Sequence, residues 1–175
     1  MGEYDMPRVH RRKAAKNYPE DGIKKGDIYY TWKFRWRRPC RSLKRPRPSQ
    51  LTQSEFLGQA YSLQEQVEDM ESPALSEGED GVSNFADNLR TIADEVRSLG
   101  EEQADKVYNM PESLQESETA DLLNQRNEAC ESLSDEIEQA ADEISSMDAS
   151  ACEDDEDLQS EIQSYLDGIS WDFEC

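Results

Sequence analysis

The chain has 175 residues, 35% of them apolar, and a formal net charge of −21 that is split unevenly. Residues 1–50 hold 15 of the 19 Lys and Arg and only 5 Asp and Glu, giving +10; residues 51–175 hold the other 4 and 35, giving −31. Such asymmetry points to nucleic acid, or to proteins that handle it, as partners. It also argues against a membrane protein, because no apolar run is long enough to span a bilayer.

In chain order, residues 1–17 read as a polar, basic lead-in, and residues 18–22 (Tyr-Pro-Glu-Asp-Gly) as a turn. Residues 27–38 carry the clearest strand signal. Ile28, Tyr30, Trp32, Phe34 and Trp36 alternate with Tyr29, Thr31, Lys33, Arg35 and Arg37, apolar on one face and largely cationic on the other. A lone strand is unstable, so the segment around Ile23 or residues 40–44 are expected to pair with it in a two- or three-stranded unit. Pro39 ends the strand, and Arg45-Pro46-Arg47-Pro48 is an extended basic connector through which no helix can run.

From residue 51 the period becomes helical. Thr52 and Glu55 form a capping box, predicting a helix to about Glu71 with a stripe of Phe56, Leu57, Ala60, Tyr61, Leu63, Val67 and Met70. Residues 72–81 read as a loop. A second helix is expected over residues 84–108, capped by Ser83, with Phe85, Leu89, Ile92, Val96 and Leu99 as a coiled-coil seam that Gly100 weakens. A third covers residues 113–147, starting as late as Thr119, with Leu123, Cys130, Leu133, Ile137, Ala140, Ile144 and Met147 as its seam and Arg126 as an interruption. A short fourth helix follows an acidic loop, over about residues 157–166, before a tail in which Trp171 and Phe173 stand among acids; it reads either as a short docking peptide or, the favoured reading, as a tail that folds back on the helices. The expected fold is thus α+β, mostly α. A small N-terminal β-hairpin module (1–50) precedes an acidic antiparallel helical bundle or coiled coil (51–175).

Two constellations carry chemistry. Lys33, Arg35, Arg37, Arg38, Arg41, Lys44, Arg45 and Arg47 could follow a phosphate backbone while an exposed Tyr29 stacks on a base. The plainer reading makes the aromatic face a small core and docks the cationic face on the chain's own acidic helices. The second constellation is acidic: Asp94, Glu95, Glu101, Glu102, Glu128, Glu131, Asp135, Glu136, Glu138, Asp142 and Glu143 are its candidate partner-binding residues. Three such helices side by side would carry one carboxylate per ~1.8 Å, close to the ~1.7 Å of duplex DNA. The plainer reading is a solvated face that keeps a thin coiled coil in solution.

No catalytic, metal or cofactor site is expected. The acidic run of residues 153–157 lacks the spacing of a calcium loop, His10 is the only histidine, and neither a phosphate loop nor a nucleophile motif occurs. Cys40, Cys130, Cys152 and Cys175 are scattered, which suits a reducing compartment and not a disulfide framework. Met6 stands where a myristoylation motif needs Ser or Thr, and the first residues lack the apolar run of a signal peptide, so a cytoplasmic protein is expected.

The string Tyr18-Pro19-x-x-Gly22-Ile23-Lys24-Lys25-Gly26-Asp27-x-Tyr29-Tyr30-x-Trp32-x-Phe34-Arg35, followed by Pro48-Ser49-Gln50-Leu51-Thr52-x-Ser54-x-Phe56, resembles uncharacterised proteins encoded by tailed phages and prophages. The resemblance covers roughly residues 7–57. It implies expression inside an infected bacterial cell and assigns no site. Three functions are therefore expected. The first is a non-enzymatic accessory protein whose acidic helices mimic nucleic acid toward a basic host protein, as a defence or regulatory inhibitor. The second is a DNA- or RNA-binding protein that works through the basic strand under acidic restraint. The third is an oligomeric scaffold.

Overall fold

The structure, a computed structural model, describes residues 6–173. The fold is α+β and mostly α, 60% helical, with a small antiparallel sheet near the N-terminus followed by a long helical region. The chain divides into two compact units, Met1–Ser62 and Leu63–Cys175.

In the first unit β1 (His10–Lys13), β2 (Ile28–Trp32) and β3 (Cys40–Ser42) form an antiparallel sheet in the order β1-β2-β3. β2 is central because aromatic and β-branched residues suit a strand covered on both edges. Its register pairs Lys13 with Ile28 on one side and Cys40 with Trp32 on the other. One expected partner, residues 40–44, is β3. The other edge comes from the stretch read as a lead-in, not from the Ile23 segment. Ile23 instead bridges Tyr18 across the turn at Gly22 (φ 68°), and the fold-back brings Ala14 N–H to Asp27 O at 2.8 Å, setting β1 against β2. Ala14, Ile23 and Tyr29 form a small core against which Tyr18 packs.

The central strand also ends earlier than its alternation suggests. β2 stops at Trp32, because its partner Cys40 follows Pro39, which has no N–H with which to extend the ladder. Residues 33–39 are the connecting loop.

α1 (Glu55–Glu68) crosses the division between the units. Its cap is Ser54, whose Oγ accepts from Leu57 N–H at 3.3 Å. Thr52 accepts from Ser54 N–H in the preceding turn, so the Thr52–Glu55 box does not form as read. Phe56, Leu57, Ala60, Leu63 and Val67 of the expected stripe are buried, while Tyr61 and Met70 are half-buried.

The second unit is built on α2 (Gly78–Tyr108) and α3 (Glu118–Ser146), which run antiparallel: Arg90 meets Asp142, Arg97 meets Glu138, and Gly100 faces Cys130. Both apolar seams are buried along this contact, except that Met147 is half-buried. Each such Leu, Ile or Val contributes about 1.5–3 kcal/mol by leaving water. α2 starts six residues before the expected helix, so Ser83 lies inside it and not at its cap. Residues that read as loop are helical there because Gly81 is buried where a Cβ would stand 3.1 Å from Pro73 Cβ, and because Glu79 and Asp80 suit the positive end of the helix. α3 starts after Ser117, which accepts from Ala120 N–H, near the later of the two expected starts. Arg126, the break in its seam, is 8% exposed.

α4 (Asp155–Leu166) is capped by Asp154, with Asp155, Glu156 and Asp157 in its first turn, so the acidic run serves a helix N-terminus. The tail folds back within this unit: Ile169 and Phe173 are buried and Ser170 N–H donates to Glu136 at 2.8 Å. No helix among the described residues is long and apolar enough to cross a membrane.

Candidate functional site

Between Asp27 and Glu55 the chain carries eight cations and no carboxylate. The hairpin of β2 and β3 concentrates four of them, Lys33, Arg35, Arg37 and Arg38, on one seven-residue loop, all exposed. None of the four makes an ion pair with another described residue, so their charge is available to an anionic partner. Lys44, Arg45 and Arg47 are also exposed, beyond β3. On the opposite edge of the sheet every residue of β1, including Arg11, Arg12 and Lys13, is exposed.

Two members of the expected cationic-aromatic set are structural. Arg41 is half-buried, pairs with Asp21 at 3.2 Å and lies over the Tyr18 ring at 4.3 Å from its centroid. Tyr29 is not the exposed stacking residue that alternation suggested. It is 6% exposed because the fold-back of residues 14–27 covers its side of β2, with Tyr18 at 5.7 Å between ring centroids. Its hydroxyl is held above its ordinary pKa, first by a hydrogen bond with Tyr18 and then by burial.

The aromatic residue that does face outward is Trp36, assigned by the alternation to the core. It sits in the loop with 89% of its surface exposed. Its φ of 65° is left-handed, an uncommon conformation for a bulky side chain, within a turn closed by Arg37 N–H donating to Phe34 O at 3.2 Å. Arg35 places its guanidinium over the indole, 5.5 Å from the ring centroid. A sequence signal existed: an indole between two arginines, two residues after an aromatic and three before a proline, fits a loop tip at least as well as a strand.

The acidic candidates separate into engaged and free groups. Arg97 on α2 meets Asp94 of its own helix, and Asp135 and Glu138 across on α3 at 3.6 and 3.0 Å. Arg90 joins Asp87 to Asp142 in the same way, at 2.7 and 2.8 Å. Hydrogen bonding to Glu138 and to Asp142, respectively, raises both guanidinium pKa values further. Glu136 accepts from the tail, Glu131 from Asn127 and Glu143 from Gln139. Glu95, Glu101, Glu102 and Glu128 are exposed and have no hydrogen-bond or ion-pair partner among the described residues. A shallow depression of ≈ 450 Å³ on α3 is lined by Asp135, Glu138, Gln139, Asp142, Glu143 and Ser146.

The charge density falls short of the three-helix estimate. Only α2 and α3 lie alongside each other over a long distance, with eight carboxylates against three cations on the first and nine against one on the second. The resulting −13 is spread over roughly 45 Å of helix, one net charge per ~3.5 Å, about half the density of duplex DNA. α4 adds four carboxylates over its 12 residues.

Of the cysteines, Cys40 is half-buried, Cys130 and Cys152 are buried, and all three are free thiols; Cys175 lies outside the described residues. No family model, no curated protein sequence and no solved structure matches this chain.

Proposed function

We propose that this protein binds nucleic acid through its N-terminal module, with Lys33, Arg35, Arg37 and Arg38 as the main phosphate contacts. The observation that carries this reading is the concentration of four exposed, unpaired cations on one hairpin loop, within a stretch that has no carboxylate. Cations left without a carboxylate gain by displacing the counterions of a polyphosphate chain.

The test is a salt series on the full chain. Four phosphate contacts give a slope of log K against log salt of about −3 for single strands and about −3.6 for duplex. Replacing Lys33, Arg35, Arg37 and Arg38 by Gln should flatten that slope by the same amount. An unchanged slope and affinity would sink the proposal.

A second reading, that the acidic helices engage a basic host protein in an infected bacterial cell, is favoured by the free carboxylates Glu95, Glu101, Glu102 and Glu128. It expects binding to a basic, nucleic-acid-binding protein to weaken when those four become Gln. Affinity that ignores both the substitutions and the salt concentration would rule it out.

A further inference from the structure

We infer that the ligand of the β2–β3 loop is single-stranded nucleic acid, with an unpaired base stacked on the indole of Trp36. This rests on the nucleic-acid reading above and narrows it to a substrate class.

A large apolar ring that is 89% exposed leaves an unfavourable surface in water, and nothing in its own unit covers it. The backbone beneath it is left-handed, a conformation that glycine would hold without strain. Such conformations are kept at ligand-binding positions. Arg35 lies over the ring, and Lys33, Arg37 and Arg38 follow within the same loop. The tip therefore offers one planar, electron-rich platform among cations. A single strand supplies what each component lacks: an accessible base face for the indole and phosphates for the cations. Duplex DNA offers the phosphates, but its base faces are covered by their neighbours. Reaching them means unstacking a step, at a cost of a few kcal/mol. Stacking is tolerant of base identity, so weak sequence preference is expected.

The experiment measures binding of the full chain to a labelled unstructured oligonucleotide, to a duplex of equal length, and to vesicles with and without anionic lipid, each across a salt series. Trp36→Ala, Trp36→Phe and the four-cation Gln variant are compared with the parent. Loss of one stacked base corresponds to roughly a 5- to 150-fold drop in affinity. The proposal expects that drop for Trp36→Ala on the single strand, with its salt slope kept, duplex binding unchanged, and partial recovery in Trp36→Phe. Because the side chain is exposed, the variant should keep the parent's circular dichroism and melting temperature. If Trp36→Ala binds the single strand like the parent while the cation variant loses its slope, the stacking inference fails and the nucleic-acid reading stands. An equal loss on single strand and duplex also overturns the single-strand assignment. If the parent binds neither nucleic acid, both readings fail; vesicle binding that needs Trp36 would then assign the tip to an anionic membrane surface.

Discussion

Gly100 allows a sharp test of how α2 and α3 are packed. Replacing a mid-helix glycine by alanine ordinarily stabilises a helix by about 0.8–1 kcal/mol, because the backbone loses less entropy on folding. At position 100, however, the added Cβ would lie 2.8 Å from Cys130 Cβ and 3.3 Å from the Asn127 carbonyl oxygen, both on α3. Neither is the free end of a flexible side chain, so the helices must separate or shift. Overpacking of this kind costs about 1–3 kcal/mol. Set against the propensity gain, the clash should leave Gly100→Ala destabilising by up to about 2 kcal/mol. In a unit of this size that is up to about 8 °C in the melting midpoint. Gly58 of α1 is the internal control. A Cβ there meets nothing closer than 3.7 Å, so Gly58→Ala should stabilise by up to about 1 kcal/mol. The assay is urea unfolding followed by circular dichroism, and Gly100→Ala in a Cys130→Gly background should recover the part of the loss due to the Cys130 contact, with the Asn127 carbonyl still close. If Gly100→Ala stabilises as Gly58→Ala does, the helices are not in contact at this level and the packing argument is wrong.

Other expectations follow from single contacts. Ser134, in the core of α3, is fully buried and its Oγ has no hydrogen-bond partner, so Ser134→Ala should stabilise by about 1 kcal/mol in the same unfolding assay. Arg97→Met removes the link from α2 to Asp135 and Glu138 and should lower the melting midpoint at low salt, with the difference shrinking as salt rises. Burial first, and then hydrogen bonding to Glu161, push the Cys152 thiol above its ordinary pKa. A thiol reagent at neutral pH should therefore label half-buried Cys40 before Cys152, as read by peptide mass. The raised thiol pKa stabilises the fold fully below the unfolded value near 9, and that stabilisation is lost as pH rises toward the folded value. The Asp148 carboxyl is held low, first by the Ser150 hydroxyl and then by the Ser150 N–H. Its contribution is present above the unfolded pKa near 3.8 and is lost as pH falls through the depressed value; Ser150→Ala should move the Asp148 titration, followed by NMR, upward.

The helical unit was legible in the sequence because its seams repeat with the spacing that packing requires. Phe85 to Leu99 and Leu123 to Ile144 lie where their periodicity puts them. The start of α2 was not legible, because Pro73, Gly78 and Gly81 have the composition of a loop, and only three-dimensional proximity shows that Gly81 is there for close packing. In the sheet unit, β1 could not be read at all. His10, Arg11, Arg12 and Lys13 have no alternation, since all four are exposed and the strand is held by backbone pairing alone. The alternation from Ile28 to Arg37 marks a strand only as far as Trp32, and even there it misplaces the faces: Ile28 is exposed and Tyr29 is buried. Beyond that point the same aromatic-cation rhythm belongs to a loop, and a pattern with period two does not report whether a partner strand exists. This ambiguity placed Trp36 in the core when it stands on a loop, whereas Tyr29 was misplaced for another reason, the cover that residues 14–27 supply from a distance in sequence.

The segregation of charge also divides the protein between two kinds of protease. A trypsin-like enzyme has eight cleavage residues between Asp27 and Glu55, all but Arg41 exposed. In the whole of the second unit it finds only Arg90, Arg97, Lys106 and Arg126. Two of these are held in ion pairs on a helix and one is buried, which leaves Lys106, in the last turn of α2, as the accessible site. A glutamate-specific enzyme meets the reverse: it has no site from Ile28 to Ser54 and many beyond. Brief digestion should therefore cut the first unit more densely with the trypsin-like enzyme and the second more densely with the glutamate-specific one, so that the two fragment patterns report separately on the two units.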